Sequence, residues 1–231
     1  MKIVCISDTH CLHDKLYHPI PMGDVLVHAG DFSRTGTLEQ IEQFAKWFAA
    51  QPHEHKLVIC GNHEAEFSGN TRYYKYHLEK YDGNVQFIHN ELVTIDGLNF
   101  YGESYSPIAG SWGWGYEPGP EARDIWDQLP EETDVLITHG PPSMYGDVGP
   151  DYKNKYVSRL VHYGCPELTT RLSETKTKWI VCGHIHYSYG VYKMPWGSTV
   201  VNAAICNESY EPGHRPLVID TYENTVGLDG Y

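Results

Sequence analysis

Short runs rich in Val, Ile and Leu punctuate the chain at residues 2–6, 25–28, 57–60, 135–138 and 179–182. Their continuous apolar character predicts central strands covered on both faces. A different period appears over 37–50, where Leu38, Ile41, Phe44, Ala45 and Phe48 share one helical face and Thr37 suits the N-cap. Residues 121–129 and 166–174 carry weaker helical patterns, and Pro166 fits a first helical turn. Residues 92–95 and 98–102 flank Asp96-Gly97, a hairpin signal. From 190 to 222, strand-like runs alternate with turns at Pro195-Trp196-Gly197 and Pro212-Gly213. The pattern predicts an α/β chain with sheets in the middle, helices outside and a β-rich tail, read as one domain over 1–231. Two long loops, 104–120 and 140–152, have the length of lids or of surface loops pinned by their own aromatics.

Composition narrows the function classes. Hydrophobic residues make up 41% of the 231, an ordinary globular share. The formal net charge of −13 argues against broad nucleic-acid affinity, which needs a basic surface, and against an anionic membrane face. No extended nucleic-acid groove and no membrane partner are expected. An anionic substrate would have to be attracted locally, which bound metal ions can do. The six cysteines, none spaced C-x-x-C, read as small core residues in a reducing compartment. The N-terminus reads as a strand rather than a secretory leader, and no apolar run has membrane-spanning length. A cytoplasmic protein is expected.

Five polar signals each follow a predicted strand: Asp8-Thr9-His10, Gly30-Asp31, Gly61-Asn62-His63-Glu64, His139-Gly140 and Gly183-His184-Ile185-His186. Carboxyl ends of strands are where α/β sheets bind ligands, and glycines let the chain turn sharply there. Singly, each has a bland reading. D-x-H and Gly-Asp occur in solvated turns, Asn62 could cap a helix, and His139 could be a satisfied core histidine. The 184/186 pair could be hydrogen-bonded imidazoles. Five accidents at five strand ends are harder to sustain, and the set points to a metal site.

With these residues in hand, the chain resembles the calcineurin-like metallophosphoesterases, whose pattern is D-x-H, G-D, G-N-H-[DE], H and G-H-x-H. Within that superfamily it is most similar to the small MPPED-type proteins and the class III cyclic-nucleotide phosphodiesterases. The similarity rests on V-H-A-G-D-F at 27–32, G-N-H-E at 61–64, T-H-G-P-P at 138–142 and G-H-I-H at 183–186, with weaker support from Tyr189-Gly190 and Asn202-Ala203. It implies a four-layer α-β-β-α sandwich of two mixed sheets flanked by helices. It also implies ligand roles. Asp8, His10, Asp31 and His186 would hold a first metal; Asp31, Asn62, His139 and His184 would hold a second, with Asp31 bridging. His63 would contact the phosphate or the leaving group. Gly30-Asp31-Phe32-Ser33-Arg34 lacks the second Asp of the G-D-x-x-D-R motif of protein phosphatases, which argues against that activity.

The nitrogen and oxygen donors suit two divalent ions or an Fe/M(II) pair, with manganese favoured over iron, zinc, cobalt or nickel. Two divalent ions less two carboxylates leave about two positive charges, or about one with a bridging hydroxide, so the centre stays cationic in an acidic protein. Metals roughly 3.5–4 Å apart can generate that hydroxide near neutral pH. The expected function is a metal-dependent phosphodiesterase for small phosphodiesters or nucleotides, cyclic nucleotides included. Asp31 and His63 are its catalytic residues, with His63 as candidate general acid or as a charge-stabilising neighbour. Glu64 could orient a neighbouring group or simply face solvent. Arg34, Cys11 and His13 follow the first two motifs and could line the pocket, but read better as loop residues. Trp112, Trp114 and Tyr116 could stack on a base but suit packing better. The competing expectations are a phosphomonoesterase or nuclease with the same centre, and a non-catalytic interaction scaffold of the same fold. Oligomeric state is not readable from the chain.

Overall fold

A computed structural model describes residues 1–151, 154 and 158–228. The expected loop 140–152 therefore reaches one residue, Tyr152, outside the described residues, and the span 1–231 runs beyond them at 229–231. In chain order, the strands of the two large sheets are β1 (Lys2–Ile6), β2 (Val25–Ala29), β3 (His55–Ile59), β4 (Val85–Phe87), β5 (Glu91–Ile95), β6 (Leu98–Glu103), β7 (Val135–Thr138), β8 (Trp179–Cys182), β9 (Gly190–Lys193), β10 (Thr199–Asn202), β11 (Leu217–Asp220) and β12 (Thr225–Gly227). The helices are α1 (Leu38–Ala49), α2 (Thr71–Glu79), α3 (Pro120–Trp126) and α4 (Pro166–Leu172). One six-stranded sheet runs β12-β11-β1-β2-β3-β4 and the other β9-β10-β8-β7-β6-β5. Both are mixed. β1 to β4 are parallel to one another, while β11 is antiparallel to β1. β6, β7, β8 and β10 are parallel, with β5 and β9 antiparallel at the edges.

The period-2 alternation of side chains decides the layering. Ile3, Cys5, Val25, Val27, Leu57 and Ile59 face Val135, Ile137, Val181 and Val201 across the space between the sheets. Their neighbours Val4, Ile6, Leu26 and Val58 point the other way, under Ile41, Phe44, Phe48, Tyr74 and Leu78 of α1 and α2. On the far side, Leu136, Ile180, Cys182 and Val200 pack under Ala122, Trp126, Leu168 and Leu172 of α3 and α4. The result is the α-β-β-α sandwich. Each of the three aromatic or aliphatic anchors of α1 (Ile41, Phe44 and Phe48) is fully buried, which stabilises its docking by about 1.5–3 kcal/mol per side chain. Thr37 caps α1 as expected, its side chain accepting from the Gln40 N–H.

The five polar signals do follow five strands, but those strands belong to both sheets. β1, β2 and β3 deliver residues from one, β7 and β8 from the other. The two carboxyl edges meet because a bridge between Ser7 and Ala204 ties the end of β1 to the segment after β10. Among the described residues, no helix is long and apolar enough to cross a membrane.

Candidate metal centre

Just past the strand ends, the backbone runs as interlocked loops. The Asp8 N–H donates to the Gly30 carbonyl and the His10 N–H to that of Asp31. The Gly183 N–H donates to the His139 carbonyl, and the His184 N–H to the Asp8 carboxylate. Asp8, His10, Asp31 and His184 have φ of 54°, 43°, 56° and 67°. Left-handed backbone at a non-glycine residue costs on the order of 1–3 kcal/mol and persists only where the surroundings enforce it. Two glycines make room for the carboxylates. A Cβ on Gly183 would lie 2.0 Å from Asp8 Oδ2, and one on Gly61 2.3 Å from Asp31 Oδ1.

All seven expected ligands converge, with His63 beside them. Ligand atoms of Asp8, His10 and His186 form one group and those of Asp31, His139 and His184 another; His10, Asp31 and His63 form a third between them. Within each group the atoms lie within 4.8 Å of one another. Asn62 joins the second group through Oδ1, 3.0 Å from His139 Nε2. Asp31 Oδ2 sits 3.3 Å from His139 Nε2, 3.9 Å from His63 Nε2 and 4.0 Å from His10 Nε2. Asp8, His10 and His139 are fully buried, Asp31 and Asn62 nearly so, and His63, His184 and His186 half-buried.

The imidazole tautomers fit a cation. His10 Nδ1 faces the Ser33 carbonyl, His139 Nδ1 the Ala29 carbonyl and His186 Nδ1 the Asn207 carbonyl. A ring nitrogen facing a carbonyl must donate, so Nε2 carries the lone pair in each neutral ring. Yet His10 Nε2 lies 3.2 Å from His186 Nε2, and His139 Nε2 faces the oxygens of Asp31 and Asn62. Acceptors opposed at such distances need a proton or a metal between them. In the metal-free chain protons serve. Burial disfavours charge on His139, but the carboxylates of Asp31 and Asp8 outweigh it and push its pKa up to about 10. His186 is raised in the same way against its burial by Asp8. Burial lowers His10 and His184 to about 4. Asp8 and Asp31 are held well below the usual carboxylate range despite burial, by His186 and His139 respectively.

Glu64 is not at the surface. It is fully buried and knits the loops together. Its Oε2 accepts from the N–H groups of Asp31 (2.9 Å) and Gly61 (2.7 Å), and its Oε1 from the Ser33 N–H (2.9 Å) and hydroxyl (2.6 Å). Asn202 does the same for the G-H-I-H turn, its amide donating to the carbonyls of Gly146 and Ile185. Arg34 also contributes, its carbonyl accepting from His63 Nδ1 at 2.8 Å. His13 is buried between Phe44 and Trp47. Trp114 and Tyr116 are buried and serve packing, while Trp112 is exposed and stacks on His63. Tyr210, whose ring lies 4.8 Å from that of His10, had no sequence signal, since it falls in a tail read only as strands and turns. A cavity of about 700 Å³ between α2 and the β4–β5 edge, lined by Arg72, Lys75, Lys80 and His89 among others, contains none of the expected ligands.

Comparisons with known proteins show the family and the fold. The family profile described as calcineurin-like phosphoesterase matches residues 1–188. Metallophosphoesterase domain-containing protein 1 of Homo sapiens is 35% identical over 241 residues, covering 95% of this chain and 70% of its own length. The Mus musculus protein of the same name matches to the same extent. A solved archaeal structure, described as a novel archaeal phosphodiesterase, is 16% identical, covers 98% of each chain and has a TM-score of 0.52, a likeness of fold. The family implies divalent metal ions, and the His/Asp groups above are where this chain could hold them. On its sequence match and its fold, the chain belongs to the calcineurin-like phosphoesterase family.

Proposed function

We propose that the chain is a metal-dependent phosphodiesterase acting on small phosphodiesters, cyclic nucleotides included, with two metal ions held by Asp8, His10, Asp31, Asn62, His139, His184 and His186. The observation that carries this reading is the position of Asp31. Its Oδ2 stands between His139 Nε2 at 3.3 Å and His10 Nε2 at 4.0 Å, one from each donor group, and His63 Nε2 approaches the same oxygen at 3.9 Å. When bound, the metals would activate water and neutralise phosphoryl charge. The chain's own residues supply the rest. Asp31 and Asp8 are the only carboxylates among the seven donors, so the loaded centre keeps positive charge and draws an anionic ester into an otherwise acidic protein.

His63, as the imidazolium with both ring nitrogens protonated, supplies the proton. Its Nδ1 donates to the Arg34 carbonyl, which leaves Nε2 directed at the centre. The water oxygen bonds to phosphorus, the ester P–O bond breaks, and the Nε2 proton passes to the leaving oxygen. The proton released by the water returns His63 to its starting state. A phosphodiester becomes a phosphomonoester and an alcohol.

A phosphomonoesterase or nuclease would use the same groups. The net charge of −13 disfavours a long nucleic-acid track. A scaffold that had shed its chemistry would not be expected to keep the full donor set with His63 beside it. The cytoplasm suits the six cysteines, all of which are free thiols. The test is turnover of matched diesters and monoesters by Mn²⁺-loaded protein. Hydrolysis of diesters in preference to monoesters is expected. No turnover of any diester would sink the reading, and activity confined to monoesters would assign the centre to the alternative.

A further inference from the structure

We propose that Trp112 is a positioning residue for His63, fixing the imidazole whose proton goes to the leaving oxygen. This rests on the general-acid reading of His63 above. The indole lies face to face with the His63 ring, centroids 4.1 Å apart and planes 20° apart. The His10 and His63 rings meet in a T-shaped edge contact, centroids 4.5 Å apart. With the Nδ1 bond to Arg34, the imidazole is held by one hydrogen bond, one edge and one face. The indole is the only one of these three contacts that comes from outside the first two motifs and their loops.

The loop that carries Trp112 is docked residue by residue on the G-N-H-E segment. The Gly113 N–H donates to the carbonyl of Asn62, 3.0 Å away. A Cβ on Gly113 would lie 2.7 Å from the Ala65 Cα, so only glycine permits this approach. The Trp114 N–H donates to the Ser68 hydroxyl at 2.7 Å, and its indole N–H to the Glu64 carbonyl at 3.0 Å. Trp114 is buried and anchors the loop, whereas Trp112 is 43% exposed and belongs to none of the buried clusters. A large apolar ring left in solvent gains little for the core. Its one close ring partner among the described residues is the imidazole beside Asp31. A stack on a ring can hold its plane without taking up either nitrogen, which leaves Nε2 free to donate.

The leaving group separates this role from a merely structural one. A p-nitrophenolate departs without a proton, whereas an alkoxide needs one. His63→Ala should lower kcat about 100-fold or more on a diester with an alkoxide leaving group, and far less on bis(p-nitrophenyl) phosphate. Trp112→Ala should show the same split at smaller amplitude, about 10- to 100-fold against less than about threefold, with KM nearly unchanged. Trp112→Phe should restore the alkoxide rate. Independent of activity, the His63 ring signals in metal-free, histidine-labelled protein, assigned by their loss in His63→Ala, should be ring-current shifted in wild type and Trp112→Phe. That shift should vanish in Trp112→Ala. Equal losses on both leaving groups, or an unshifted His63 in wild type, overturns the positioning role. A leaving-group split in His63→Ala that is absent from Trp112→Ala overturns the role of Trp112 alone. No split in His63→Ala overturns the general acid, and this inference with it.

Discussion

Glu64→Gln changes almost no volume, so its effect reads the hydrogen bonding and ionisation of this one group rather than packing. Each carboxylate oxygen of Glu64 accepts two donors. The least damaging orientation of the amide turns its NH2 toward Ser33. The Asp31 and Gly61 N–H bonds then survive, and the Ser33 hydroxyl can reverse to accept. The Ser33 N–H has no such recourse and is stranded in a buried site, which costs about 1–3 kcal/mol. In the metal-free protein, burial, aided by the Asp31 charge, pushes Glu64 up to about 8. Between the unfolded value near 4.5 and that folded value, the native state binds the proton more tightly than the unfolded chain does. The stability contributed by this group is therefore full below about pH 4.5 and is lost as pH rises toward 8. Glutamine has no such slope, so the gap between wild type and Glu64→Gln should narrow as pH rises. The larger consequence is for metal. The oxygen that holds the Asp31 N–H fixes the left-handed turn from which the shared carboxylate projects. Glutamine replaces the carboxylate acceptor of that bond with an amide oxygen and strands the neighbouring Ser33 N–H, and a change in such a supporting contact typically lowers metal affinity about 10- to 100-fold. Urea unfolding of chelator-treated protein at several pH values and a metal titration measure the two effects. Unchanged metal affinity together with a stability change below about 0.5 kcal/mol would refute this role for Glu64.

Two further perturbations probe the same loops. Gly183→Ala places a Cβ where Asp8 Oδ2 and Ser7 Oγ now stand, at 2.0 and 2.2 Å; overpacking of this kind costs about 1–3 kcal/mol. Elemental analysis should show loss of metal from the Asp8, His10 and His186 group, and full retention would contradict the crowding. The His139 proton, held up to about 10 in the metal-free chain, must leave before Nε2 can ligate. Metal affinity should thus climb about tenfold per pH unit for this proton from about 6 to 9, with the raised His186 adding to the slope and to the protons released, measured by calorimetry in buffers of different ionisation enthalpy. A profile of the same slope in wild type and His139→Ala would show that His139 is not a ligand.

The strands were legible because buried parallel strands leave uninterrupted β-branched runs, and residues 2–6, 135–138 and 179–182 match β1, β7 and β8 to the residue. Helix α1 was legible from its apolar stripe. Helix α2 was not, since Thr71–Glu79 buries only Tyr74 and Leu78 and presents aromatic and charged residues without an aliphatic period. The motifs name every residue that converges around Asp31, but their backbone is hidden. Nothing in the types Asp8, His10, Asp31 and His184 announces left-handed φ, which tertiary hydrogen bonds impose. Nor could spacing separate Glu64 from a surface acid, or Trp112 from Trp114 and Tyr116. Those distinctions depend on how the 104–120 loop lies across the G-N-H-E segment, a contact between residues about 50 positions apart.

Metal stoichiometry in wild type and Asp31→Asn tests the centre most directly. The variant keeps the size of the side chain and removes the charge of the carboxylate that the His10/His63 and His139/His184 groups have in common. Elemental analysis of Mn²⁺-reconstituted, gel-filtered protein should give two ions per wild-type chain and a loss from both groups in Asp31→Asn. Equal occupancy in the two proteins would contradict the shared-carboxylate centre on which the account rests.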